Sequence, residues 1–93
     1  MYGTIFKLDI KPGHHEALLD NLKNHTPKGM TALFVMNTDE KDEWICVSVF
    51  ESKEAYVANA ESPEQHEMFL SVMEHLETEP KWTDGTYVIG EIA

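Results

Sequence analysis

A chain of 93 residues, 42% hydrophobic and 26% charged, has the size and balance of one folded globular domain rather than a fibrous or disordered chain. Its 17 acidic residues face only 7 basic ones, all lysine, for a net charge of −10; this excludes the phosphate-neutralising surface that nucleic acids and anionic membranes require. The lack of arginine removes the side chain that grips carboxylates and phosphates through two parallel bonds, and no apolar run approaches the roughly 20 residues that span a bilayer.

In chain order, Tyr2 to Ile10 is rich in β-branched and aromatic residues and alternates imperfectly, which predicts a first strand. Lys11-Pro12-Gly13 breaks it. Ala17, Leu18, Leu19 and Leu22 give an apolar stripe at helical spacing, predicting a helix over 13–24. His25-Thr26-Pro27-Lys28-Gly29 ends it, because the residue before proline is pushed out of the helical region. Met30 to Asn37 and Glu43 to Phe50 read as an antiparallel hairpin across the polar turn 38–42. Ser52 caps a short helix over 53–60. Ser62-Pro63-Glu64-Gln65 then combines a capping serine, proline in the first turn and glutamine three residues on, the pattern of a capping box. Met68, Phe69, Val72, Met73 and Leu76 continue that second helix until Glu79-Pro80. Residues 82–85 read as a loop with an Asp-Gly turn, and 86–92 as a fourth strand.

The order strand, helix, strand, strand, helix, strand predicts an α+β, ferredoxin-like β-α-β-β-α-β domain with an antiparallel sheet. Residues 32–36 are all apolar, as are 45–47. A sheet wetted on one face alternates apolar with polar residues, and two helices cover only one face. The other face is therefore expected to meet a second copy of the chain, giving a homodimer packed sheet on sheet. Met1 to Lys7 lacks a basic region followed by a long apolar stretch, so no signal peptide is expected, and the cytoplasm is the expected location. Cys46, the lone cysteine, cannot form an internal disulfide; its apolar neighbours make it a core residue.

Tyr2-Gly3-Thr4-Ile5 followed by Lys11-Pro12-Gly13 resembles the opening of antibiotic biosynthesis monooxygenase-like domains. The stretch Val49-Phe50-Glu51-Ser52-Lys53-Glu54-Ala55-Tyr56 through Ser62-Pro63-Glu64-Gln65 is similar to their strand-to-helix signature, and Glu79-Pro80-Lys81-Trp82-Thr83-Asp84-Gly85 is similar to one uncharacterised branch. The resemblance implies a dimeric α+β barrel. It also implies one of several activities: oxidation of quinols, anthrones or related polyphenols with O₂ and no cofactor, haem degradation, or none known. The haem-degrading branch pairs a strand-one Asn with a Trp and a His. Here Phe6 stands at the Asn place, the Trp position falls near Asn59, and His66 lies about half a turn early. Haem chemistry is therefore not expected. The first helix and the approach to strand two are shorter than the family's usual form, which reshapes the pocket.

His66 is the leading chemical candidate. It falls in the first turn of a helix beside the expected pocket mouth, and histidine titrates near neutrality, as a general base must. Tyr56 and Asn59, three apart on the short helix, share a face and are expected to orient a phenol or enol with His66 as the catalytic base. Trp82, Tyr87 and Tyr2 are expected to pack at the dimer interface or line an aromatic pocket. His14 and His15 are adjacent, so they diverge on a helix and make poor joint ligands; no metal-binding, phosphate-loop, dinucleotide or serine-elbow motif is present. The expectation is a cofactor-independent enzyme acting on a small aromatic or quinol-type substrate; the alternative is a non-catalytic dimeric module that binds a small apolar or aromatic ligand or acts in stress or regulation.

Overall fold

Alternation along the strands decides what each face of the sheet meets. The computed structural model describes all residues, Met1–Ala93. Its elements are β1 (Tyr2–Asp9), α1 (His15–Lys23), β2 (Met30–Asn37), β3 (Glu43–Phe50), α2 (Lys53–Ala60), α3 (Pro63–Met73) and β4 (Lys81–Thr86). The strands form one sheet in the order β2-β3-β1-β4, every neighbouring pair antiparallel. This is the ferredoxin-like arrangement that the order of elements predicts, with its second helical region split in two.

Thr4 and Leu8 on one side of β1, Ile10 just beyond it, and Trp44, Cys46, Ser48 and Phe50 on the same side of β3, are buried beneath the helices. Leu18 from α1, Val72 from α3 and Leu76 beyond it close over Leu8, Ile10, Trp44 and Cys46 to make the core. The opposite face stays apolar and uncovered: Ile5 is 43%, Phe34 56% and Met36 57% exposed. No helix is long and apolar enough to cross a membrane.

The helix boundaries follow from local chemistry. Gly13 has φ +84°, a left-handed conformation outside any helix, so α1 starts at His15 instead of Gly13. Ser52 Oγ accepts from the Ala55 N–H at 3.1 Å, and Ser62 Oγ from the Gln65 N–H at 3.1 Å; each serine satisfies a donor that the first turn leaves free. Only half of the expected capping box forms, because the Ser62 N–H donates to the Asn59 carbonyl at 3.0 Å and leaves the Gln65 side chain available elsewhere. Helix α3 ends at Met73, short of Pro80. Beyond it the His75 N–H reaches Val72 O at 3.0 Å and the Leu76 N–H reaches Met73 O at 3.2 Å, tight turns that bring Leu76 into an isolated bridge with Ile10.

The fourth strand corrects the sequence reading. Residues 81–86 pair with β1, Trp82 opposite Phe6 and Gly85 opposite Gly3, while 87–93 form no regular element. As an edge strand with every residue exposed, β4 needs no apolar alternation, and Asp84-Gly85 sits inside it without turning. The Tyr87 ring then crosses Gly3 and donates from its hydroxyl to the Ser48 carbonyl at 2.7 Å. A Cβ at Gly3 would strike that carbonyl and stand 3.0 Å from the ring, so this close approach requires glycine.

Candidate functional site

The face of the sheet under the helices is filled at one end and open at the other. Where Leu8 of β1 and Ile10 just beyond it give way to Thr4, and Cys46 of β3 to Ser48, buried side chains shorten and become polar. Thr4 and Ser48 are register partners, 3% and 6% exposed. Ser48 Oγ donates to the Thr4 carbonyl at 3.4 Å and Thr4 Oγ1 to the Thr83 carbonyl at 3.2 Å, so both hydroxyls are buried with partners, as burial demands. Above them lies a cavity of about 460 Å³ between sheet and helices, within the usual range for small-molecule sites.

Its walls are apolar and aromatic: Phe6, Phe50, Met68, Phe69, Val72 and Trp82. The Phe6 and Trp82 rings lie 4.5 Å apart and Phe69 lies 6.3 Å from Trp82, all tilted, the spacing of favourable aromatic contacts. Trp82 thus serves the cavity; Tyr2 packs on Tyr56 at 5.3 Å, and Tyr87 covers Gly3.

All three candidate residues, Tyr56, Asn59 and His66, line this one cavity. The helix spacing brings Tyr56 and Asn59 to the same face of α2, and the Ser62 cap sets the first turn of α3 beside them. Their roles differ. The Tyr56 hydroxyl donates to Asp84 Oδ1 at 3.0 Å. Burial, first, and then that hydrogen bond and the Asp84 charge push the phenol up to about 12. Tyr56 is therefore a hydrogen-bond donor near neutral pH and cannot serve as a base. Asn59 Nδ2 donates to Gln65 Oε1 at 3.3 Å. His66 is exposed at the rim. Of the five histidines, His14 and His75 meet each other at 3.0 Å, His15 pairs with Asp42 at 3.2 Å, and His25 meets Gln65 at 3.3 Å. His66 alone has a ring free of protein partners.

Four polar lining residues escaped the sequence reading. His25, from the turn between α1 and β2, sits across the cavity on Gln65. Thr4 and Ser48 form its floor, and Asp84 holds Tyr56. Gln65 was visible only as a cap; the signal for the others is long-range register, which short motifs do not carry. No lysine lines the cavity, so nothing there neutralises a carboxylate or phosphate. Cys46 is fully buried, and burial pushes its thiol up to about 12, the opposite of an activated nucleophile. No three His, Cys, Asp or Glu side chains converge to hold a metal ion.

Comparison with known proteins places this geometry. A family model described as antibiotic biosynthesis monooxygenase matches residues 1–70. Among solved structures, a Caulobacter crescentus CB15 protein bearing that family's name superposes with TM-score 0.80 at 9% identity, covering 95% of this chain and 90% of its own. A Nitrosomonas europaea protein bearing the same name gives 0.78 at 16%, covering 96% and 100%. Rv0793 from Mycobacterium tuberculosis gives 0.77 at 16%, covering 96% of each chain. Identities this low establish the fold and leave chemistry to the site itself. No curated protein matches the chain in sequence.

Proposed function

The chain belongs to the antibiotic biosynthesis monooxygenase family, and from that premise we propose that it oxidises a small, neutral, hydroxyl-bearing aromatic of the quinol type with O₂ and without a cofactor. The observation that carries this reading is the cavity: aromatic walls, no side-chain cation, and the one partner-free histidine at its rim. Aromatic faces suit a flat apolar ring. A polar lining whose one ionised group is the Asp84 carboxylate suits hydroxyl and carbonyl oxygens but leaves a substrate carboxylate or phosphate unpaired.

In this mechanism His66 takes the proton of the substrate hydroxyl, the Tyr56–Asp84 pair and Asn59 orient the ring, and the dry walls raise the electron-donating power of the anion by withholding water. For a quinol, one oxygen atom of O₂ enters the ring. The other leaves as water with two hydrogens from the substrate, which supplies all four electrons. Oxygen uptake by the purified, metal-free protein with reduced quinones tests the reading. His66→Ala is expected to lower turnover by roughly 10²–10⁴-fold, the usual contribution of a general base; undiminished uptake would remove His66 from that role. Ligand binding without oxygen uptake would favour the non-catalytic module.

The same reading assigns the uncovered sheet face to a second copy. Ile5, Phe34 and Met36, with Val88 and Ile89 of the tail, expose apolar surface that a single chain cannot cover, and sheet-on-sheet packing would bury it. Sedimentation at micromolar concentration is expected to return the mass of two chains; the mass of one would overturn the homodimer.

A further inference from the structure

The contact between His25 and Gln65 joins two segments 40 residues apart and belongs to neither helix's own hydrogen bonding. Gln65 is fixed by its backbone, whose N–H is already held by Ser62 Oγ at 3.1 Å, and the half-formed capping box leaves its amide free. That amide reaches into the cavity, where Oε1 lies 3.3 Å from Asn59 Nδ2 and 3.3 Å from His25 Nε2. Two separate segments, the turn after α1 and the end of α2, therefore converge on one carbonyl oxygen at the start of α3. An amide oxygen has two lone pairs and only accepts. If it accepts from Asn59 and from His25 together, His25 must carry its proton on Nε2. The neutral ring then has its lone pair on Nδ1, which no protein group engages.

We propose that Gln65 is a positioning residue that fixes the His25 tautomer, making His25 Nδ1 a second proton-accepting nitrogen of the cavity beside His66. Two acceptor nitrogens in a lining without a side-chain cation give each hydroxyl of a quinol-type substrate its own acceptor, so binding depends on the second hydroxyl through His25. This assignment of substrate rests on the reading of the cavity given above, whereas the tautomer stands independently of it.

The ligand-free protein, with isotope-labelled histidine, is the first sample. At about pH 8, where histidine is mostly neutral, long-range proton–nitrogen correlations locate the proton on each ring. His25 is expected to hold it on Nε2 in the wild type and in Gln65→Glu, which keeps an acceptor there. In Gln65→Leu that proton is expected to exchange with water at least ~10-fold faster, on the scale of one lost hydrogen bond. The second arm titrates a naphthalene diol and the matching single naphthol without oxygen. The diol is expected to bind ~10-fold more tightly to the wild type and Gln65→Glu, a preference erased in Gln65→Leu and His25→Ala. A His25 proton on Nδ1 in the wild type, or a diol preference untouched by His25→Ala, would overturn the inference. If neither compound binds while His25 keeps its Nε2 proton, the aromatic-substrate reading fails, and the second-acceptor role fails with it.

Discussion

The two ends of the helix-covered face are built by the same strands and do opposite things. Toward Ile10 and Trp44, large side chains from β1 and β3 meet Leu18, Val72 and Leu76, and the space is filled. Toward Thr4 and Ser48, two register-paired inward positions hold short hydroxylated side chains that donate to the Thr83 and Thr4 carbonyls, and the space above them stays open as the cavity. The substitution of hydroxyls for aliphatics at two register-paired positions separates core from site. Small domains have little core to give up, so the open end forgoes packing that the filled end uses.

That contrast can be broken by mutation. Truncating the filled end should cost most: Leu8→Ala or Leu18→Ala, both at 0% exposure, is expected to lose about 2–5 kcal/mol in urea unfolding, whereas Ser48→Ala should lose about 1 kcal/mol, the scale of one hydrogen bond. Equal losses at both ends would dissolve the distinction. Filling the open end sharpens it. Ser48→Leu is expected to cost about 1–3 kcal/mol through overpacking and to abolish aromatic ligand binding in a fluorescence titration, while a variant that still binds would put the ligand elsewhere.

The smallest effect is on the alkaline limb of stability. Cys46, at the filled end, and Tyr56, at the open one, are both pushed up to about 12, from 9.0 and 10.0 respectively. Between the unfolded and folded values the unfolded chain has lost a proton that the folded chain retains, so stability falls as pH rises. The contribution is complete below about pH 9 for Cys46 and pH 10 for Tyr56, and declines toward about 12. Unfolding midpoints measured across that window should fall less steeply from about pH 9 in Cys46→Ala and, above about pH 10, in Tyr56→Phe; slopes identical to the wild type would contradict the burial of these groups.

The filled end was legible in the sequence and the open end only partly so. Helical spacing exposed Leu18 and Val72, and serine caps exposed the starts of α2 and α3, because these signals lie within a few residues of one another. Tyr56, Asn59 and His66 were within reach for the same reason, since each sits on a helix whose start is marked. His25 and Gln65 are 40 residues apart, and Tyr56 and Asp84 are 28 apart; only the fold brings them together. The fourth strand was misplaced because alternation was sought in Thr86 to Ile92, whereas pairing with β1 selects the polar Lys81–Thr86. There the partner strand, and not the local pattern, decides. The paired hydroxyls of Thr4 and Ser48 became informative once register aligned them.

The two tryptophans mark the two ends, Trp44 in the core and Trp82 on the cavity wall, and give the most direct test. Fluorotryptophan-labelled protein, titrated without oxygen with a naphthalene diol, would be followed by fluorine NMR. A saturable shift of the Trp82 signal with Trp44 unmoved is the predicted result; a Trp82 signal that stays still, or two signals that move together, would contradict the assignment of the open end as the binding site.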